Sequence, residues 1–105
     1  MSSHFDNLQV QGIIEEAMLY MCACPAQVGT EILRLRELYN YQQACISKGT
    51  VMASVHSKIA DAAKQAHDVL EACLFQVLEL EGWDMNSLKM PEGLRELREQ
   101  FLLDD

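Results

Sequence analysis

The sequence predicts an all-α domain, arranged as a small antiparallel four-helix bundle with up-down-up-down connections, a long third helix and a short C-terminal helix. Three observations predict it. Apolar residues recur at three- and four-residue steps over long stretches of the chain. The few breakers, five glycines and two prolines, mostly separate those stretches. At 105 residues the chain has the size of one domain, and short helix connections favour antiparallel neighbours.

The composition is typical of a folded, acidic domain. Half of the residues are hydrophobic and 23% are charged, which is a globular balance. Eight Lys and Arg against 16 Asp and Glu give a formal net charge of −8, so we expect neither nucleic acid nor a membrane as a partner. Because the first residues lack the basic start of a secretory signal, we expect a cytoplasmic protein with reduced cysteines.

The first predicted helix covers about residues 7–22. Asp6 and Gln9 have the spacing of a capping box, in which each side chain accepts a hydrogen bond from the other residue's backbone N–H. Phe5 and Val10 stand where a hydrophobic staple joins the residue before the cap to the first turn. The expected apolar stripe of this helix is Val10, Ile14, Ala17 and Met21.

The second predicted helix covers about residues 25–48. Pro25 suits its first position, with Cys24 as an unusual N-cap. Thr30 is the alternative N-cap if the residues before it form a loop. Gly49 is expected to end the helix, because glycine readily takes the left-handed conformation found just beyond helix ends.

The third predicted helix covers about residues 51–81, with Thr50 as its N-cap. Gly82 is expected beyond its end, with Trp83 reaching back onto Leu78 as in a Schellman motif. Steps of four and three residues, like those of a coiled-coil seam, predict which positions face inward. These positions are Val55, Ile59, Ala62, Ala66, Val69, Cys73 and Val77.

The fourth predicted helix covers about residues 91–103 and begins at Pro91. At 1.5 Å per residue the third helix is about 45 Å long and the fourth only about 20 Å, so an apolar flank is left uncovered. Such a flank often recruits a partner, including a second copy of the same chain. One face of the fourth helix is apolar and is our predicted partner-binding surface: Met90, Leu94, Leu97 and Phe101.

The cysteines suggest an alternative function. The bundle topology places Cys22, Cys24 and Cys73 at one end, with His67 about 9 Å from Cys73 along the third helix. Three thiolates and an imidazole would suit Zn²⁺ or Cu(I), and a redox role for the thiols is a related option. Paired C-x₂-C units are missing, however, so cysteines that simply fill core space are the favoured interpretation and no metal or other cofactor is expected.

No specific enzyme motif occurs, so we predict a non-enzymatic protein. His56 and His67 are expected to be solvated or at the rim of the core. The glutamates Glu15, Glu16, Glu71, Glu79 and Glu81 are expected to form a solvated face. The favoured function is a helical protein-interaction module, such as an adaptor, a small chaperone or an accessory subunit. Its partner is another protein, with a homodimer as one option, and the alternative is the thiol-based metal or redox protein.

Overall fold

Three α-helices form the described part of the computed structural model, which comprises residues 3–20, 23–49 and 52–91. They are α1 (Asn7–Leu19), α2 (Ala23–Ser47) and α3 (Ala53–Glu81). These residues contain no strand beyond one isolated bridge, which confirms the all-α prediction. The predicted count of four helices is not matched, because the segment 91–103 lies outside the described residues except for Pro91. No helix in the described ranges is long and apolar enough to cross a membrane.

The helices approach each other in two pairs, α1 with α2 and α2 with α3. A contact between Asn7, the first residue of α1, and Arg36 shows that α1 accompanies only the first half of α2. The rest of α2 and the facing part of α3 project beyond it as a two-helix arm, which we call the arm (residues 37–49 and 52–66). The molecule is accordingly elongated, at 59 × 26 × 18 Å.

The start of α1 is set by the predicted capping box. The Asp6 carboxylate accepts the Gln9 backbone N–H at 2.7 Å, and the Gln9 side-chain oxygen accepts the Asp6 backbone N–H at 2.9 Å. Phe5 and Val10 are both buried in the core, as the staple requires. The helix ends at Leu19, three residues earlier than expected.

The start of α2 differs from the prediction. The helix begins at Ala23, so Pro25 lies in its first turn and not at its first position. Proline is tolerated there because the first-turn N–H groups have no partner within the helix. Thr30 lies inside the helix, where its hydroxyl donates to the Ala26 carbonyl at 2.8 Å, so it is not the N-cap. At the other end, Gly49 has φ +68° as predicted.

The end of α3 follows the predicted Schellman motif. Gly82 takes the left-handed conformation at φ +77°, and the Trp83 backbone N–H donates to the Leu78 carbonyl at 2.9 Å. The start of α3 differs from the prediction. The helix begins at Ala53 after Met52, whereas the predicted cap Thr50 lies outside the described residues.

The segment 83–91 returns from α3 to α1 and closes the core. The Met90 backbone N–H donates to the Glu16 carboxylate at 2.9 Å, and the Lys89 ammonium lies 3.6 Å from the same carboxylate. Glu16 is therefore buried, not solvated as predicted. The apolar side chains that this segment adds to the core are Trp83, Leu88 and Met90.

The face that α3 turns inward is not the predicted one. Periodicity alone cannot choose between two stripes of similar spacing, and the inward stripe contains the two polar residues His67 and Glu71. It also carries Leu74 and Leu78, which fill more core volume than the predicted valines and alanines. The buried residues of α3 are Ala60, Ala63, His67, Glu71, Leu74 and Leu78. The predicted seam lies about 120° around the helix from them and faces outward.

Two glycines give a test of how closely α1 packs on α2. A Cβ at Gly29 would lie 2.9 Å from Ile14 Cγ1 and 3.3 Å from Val10 Cγ1, whereas a Cβ at Gly12 would meet nothing within 4 Å. We expect Gly29→Ala to destabilise the protein by about 1–2 kcal/mol, because overpacking outweighs the helix propensity of alanine. Gly12→Ala should stabilise it by up to about 1 kcal/mol. Urea denaturation of both variants measures the difference, and equal effects would contradict the packing.

Asp84 gives a pH-dependent test of the turn that begins the 83–91 segment. The backbone N–H groups of Ser87 and Asn86 donate to its carboxylate at 2.9 and 2.8 Å, which lowers the pKa of Asp84 from its usual 3.8. A lowered folded-state pKa stabilises the protein above the unfolded-state value, and this contribution is lost as the pH falls through the folded value. We expect the stability difference between the wild type and Asp84→Asn to shrink below about pH 4. Acid titration of both proteins in urea would detect it, and a constant difference would contradict it.

Candidate functional site

A buried carboxylate, that of Glu71, is the most unusual chemical feature of the core. Its side chain is 1% exposed, although it lies on the middle of α3. The Arg36 guanidinium of α2 contacts one of its oxygens, and the backbone N–H of His4 donates to the other at 3.1 Å. The hydroxyl of Ser3 lies 3.1 Å from the first oxygen. The negative charge is thus compensated on two sides by a cation and hydrogen-bond donors.

Arg36 joins three parts of the chain. Its Nε donates to His67 Nε2 at 2.9 Å, and its terminal nitrogens donate to Asn7 Oδ1 at 2.5 Å and to the Phe5 carbonyl at 2.7 Å. With the ion pair to Glu71, one side chain of α2 therefore holds the N-terminal segment, the start of α1 and the middle of α3. We call Arg36, His67 and Glu71 the polar cluster.

The hydrogen bonds of His67 define its tautomer. An arginine Nε can only donate, so His67 Nε2 must accept with its lone pair. The proton of the neutral ring is then on Nδ1, which donates to Asp68 Oδ1 at 2.9 Å. His67 is completely buried, contrary to the solvated or rim position predicted for it. Both ring nitrogens are engaged, so the ring could act as a base or a metal ligand only by giving up one of these bonds.

The thiols of the alternative function do not gather around His67 in the described part of the chain. Cys24 is exposed near the start of α2, and Cys73 is half-buried on α3. Among the residues that the structure describes, no group of three or more His, Cys, Asp or Glu side chains is placed to hold a metal ion. Cys22 lies outside those residues.

An apolar stripe runs along the outward side of α3, and it consists of the predicted inward seam together with Leu80. Val69 is 68% exposed and Leu80 87%, while Val55 and Ile59 are about 40% exposed. Ala62 and Ala66 are also exposed, and Cys73 and Val77 are half-buried. We call this set the outer stripe: Val55, Ile59, Ala62, Ala66, Val69, Cys73, Val77 and Leu80.

The outer stripe carries no charge along the length of α3. At 100° per residue, every α3 residue within about 45° of its centre is apolar, and Lys58 and Gln76 lie about 60° from the centre. The nearest charged side chains, including Lys58, flank it. Twenty-nine residues make α3 about 44 Å long, and the stripe follows most of that length. It is therefore a continuous apolar surface and not a set of isolated exposed side chains.

The predicted partner-binding residues are only partly described. Met90 is 3% exposed and belongs to the core. Leu94, Leu97 and Phe101 lie outside the described residues. The heptad pattern in the sequence indicates the outer stripe, but the prediction that this stripe faces the core is wrong. The larger side chains Leu74 and Leu78 on the competing stripe were the signal that could have corrected this.

A second apolar surface lies between α1 and α2. It is an open groove of about 670 Å³ whose lining includes Ile14 and Met18, the latter 61% exposed. Polar side chains from α2, including Thr30 and Glu31, complete its wall. Because it is shorter than the outer stripe and bordered by a charge, it is the weaker candidate for a protein interface.

The polar cluster should contribute strongly to the free energy of unfolding. Removing the cation while leaving the buried carboxylate should cost about 3–5 kcal/mol, so we expect Arg36→Met to be strongly destabilising. Arg34 is the matched control, because its side chain is 70% exposed and pairs with Glu31 on the surface of the same helix. Arg34→Met should change the free energy of unfolding by less than about 1 kcal/mol.

A double variant separates the charge from the packing in this prediction. Adding Glu71→Gln to Arg36→Met removes the uncompensated charge and should recover part of the lost stability. Equilibrium denaturation of the four proteins measures these effects. Equal losses for Arg36→Met and Arg34→Met would contradict the buried ion pair.

Comparisons with known proteins assign no family to this arrangement. No protein-family model, no curated protein and no solved structure matches the chain. A proposal for its function must therefore come from its own residues.

Proposed function

We propose that this chain is a non-enzymatic helical protein-interaction module, such as an adaptor, a small chaperone or an accessory subunit. The observation that supports the proposal is the outer stripe of α3, an apolar and charge-free surface along a helix of 29 residues. Apolar surface of this extent is unfavourable in water, and it commonly marks a site that another molecule covers. The polar cluster holds α3 in the orientation that keeps the stripe outward.

The stripe favours a partner that presents a helix. Its residues recur at steps of three and four, which is the pattern that lets side chains of one helix fit between those of another. Ala62 and Ala66, at its middle, leave room for a second backbone to approach closely. Val69 and Leu80 are exposed enough to anchor that helix. The partner is therefore an amphipathic helix with an apolar face of similar length.

The histidine environments favour binding over catalysis. Both ring nitrogens of His67 are hydrogen-bonded in the core. His56 Nδ1 lies 2.6 Å from the Gln42 side-chain oxygen in the arm. The ring of His4 stacks on Phe75 at a centroid distance of 4.8 Å. Each described histidine thus has a structural contact that accounts for its position.

The C-terminal surface predicted from the sequence is a second candidate for the same function. Leu94, Leu97 and Phe101 would share one face if that segment is helical. Because Met90 is buried, a binding surface there would have to begin beyond it. The two candidate surfaces are far enough apart in sequence to be tested separately.

Site-specific photo-crosslinking tests the proposal. A photoreactive phenylalanine at position 69, on the outer stripe, should give protein crosslinks in cells that express the chain, because a covering helix lies within reach of the probe. The same probe at Ser57 is the control, since that exposed position is about 160° around α3 from the stripe. Crosslinked products are identified by mass spectrometry. Equal crosslinking at the two positions would contradict the proposal for this surface.

Two further variants assign the crosslinks to a surface. Ala66→Glu places a charge in the stripe and should abolish the products formed at position 69, because burying an unpaired charge is strongly unfavourable. The double variant Leu97→Asp with Phe101→Asp should leave them unchanged while helicity, measured by circular dichroism, stays the same. If the double variant abolishes the products and Ala66→Glu leaves them unchanged, the binding surface is on the C-terminal segment and not on α3.

A further inference from the structure

We propose that the helix covering the outer stripe is α3 of a second copy of this chain, bound antiparallel around a two-fold axis near the middle of the helix. This inference rests on the proposed function and names its partner. It depends on three features of α3: the register of its apolar residues, the charges that flank them, and the distribution of charge between its two ends.

The apolar register suits an antiparallel pair. In heptad terms, position a holds Ile59, Ala66, Cys73 and Leu80 of the outer stripe, and position d holds Val55, Ala62 and Val69 of the stripe together with the exposed polar residue Gln76. Antiparallel helices place an a residue of one chain beside a d residue of the other. With the axis between Ala66 and Val69, these two residues pair with each other across it. The neighbouring layers then pair Ala62 with Cys73, Ile59 with Gln76 and Val55 with Leu80 of the other copy, so one layer on each side of the axis contains a polar residue.

The charges that flank the stripe favour an antiparallel over a parallel pair of helices. Lys58 and Glu79 are exposed and occupy the same flanking position, g, at opposite ends of the stripe. In the antiparallel alignment g faces g, so Lys58 of each copy lies opposite Glu79 of the other and the ion pair forms twice. In a parallel pair g faces e, and the e positions of these heptads carry Ala63, Leu70 and Val77, which offer no charge.

The charge distribution along α3 also favours the antiparallel pair. The first half of α3 carries Lys58 and Lys64 with one acidic residue, Asp61, whereas no Lys or Arg occurs from residue 65 to residue 88. That second half contains several acidic residues, including Glu79 and Glu81. The helix dipole prefers the opposite arrangement, with acidic residues near the N-terminus and basic residues near the C-terminus. An antiparallel second copy brings the basic half of each α3 beside the acidic half of the other, which offsets this unfavourable pattern.

The size of the surface predicts a weak dimer. A stripe of about 40 Å by about 10 Å buries roughly 400 Å² on each copy, or about 800 Å² in total. Stable interfaces bury about 1,200–2,000 Å², and smaller ones belong to transient complexes. We therefore expect a weak dimer in equilibrium with the monomer.

Sedimentation velocity of the full chain over a range of concentrations tests the proposal. The wild type should shift from monomer to dimer as its concentration rises towards about 1 mM. Ala66→Glu should weaken dimerisation at least about tenfold, because it places two like charges beside the axis. Ser57→Glu adds the same charge on the opposite side of α3 and should stay within about twofold of the wild type. Circular dichroism checks that each variant keeps its helicity.

Charge exchange tests the orientation. Lys58→Glu and Glu79→Lys should each weaken the dimer by about three- to tenfold, because each places like charges opposite one another twice. The double variant restores the two ion pairs in reversed sense and should return to within about twofold of the wild type. Additive losses in the double variant would overturn the antiparallel arrangement.

The remaining outcomes separate this inference from the proposed function. A chain that stays monomeric at about 1 mM, or a dimer that Ala66→Glu does not weaken, overturns the second copy as partner. If position 69 nevertheless crosslinks to a different protein, the interaction module stands and only its partner is wrong. If the chain is monomeric and position 69 crosslinks to no protein, both proposals fail.

Discussion

The rest of the structure depends on the ion pair between Arg36 and the buried carboxylate of Glu71. A carboxylate with 1% exposure is tolerated in a core only when a cation and hydrogen-bond donors surround it. Here the cation comes from α2 and a donor from the backbone of the N-terminal segment. The same arginine also binds His67 and the start of α1. One contact thus fixes how α3 is rotated against α2 and where α1 begins.

The rotation of α3 explains why a largely apolar stripe is left on the surface. The helix has two faces about 120° apart, and the one that contains the polar cluster is directed inward. Leu74 and Leu78 add apolar volume at the end of that face where α1 and the 83–91 segment complete the core. The outer stripe would have supplied smaller side chains and no partner for Arg36. Its exposure is therefore the consequence of the contact that organises the core, and it is the feature from which we argue an interaction function.

The parts of the fold that the sequence predicts well are set by neighbouring residues. The Asp6–Gln9 capping box and the turn at Gly82 and Trp83 involve residues within five positions of each other, so their chemistry is visible in the sequence. The rotation of α3 depends instead on a contact between residues 35 positions apart. Periodicity indicated the apolar stripe of α3 that the structure places outward, but it carried no information about Arg36. Likewise, nothing local indicates that Glu16 accepts a hydrogen bond from the backbone of Met90.

The most direct test of this account is nitrogen NMR of the His67 imidazole in the full chain, because the protonation of this ring reports which face of α3 is inside. If Arg36 and Asp68 hold the ring as the structure shows, Nδ1 carries the proton and Nε2 accepts a hydrogen bond. The spectrum should then show a single Nδ1–H tautomer whose proton exchanges slowly with water. A proton on Nε2, or a ring that exchanges its proton freely with solvent, would contradict the inward polar face and with it the outward position of the stripe.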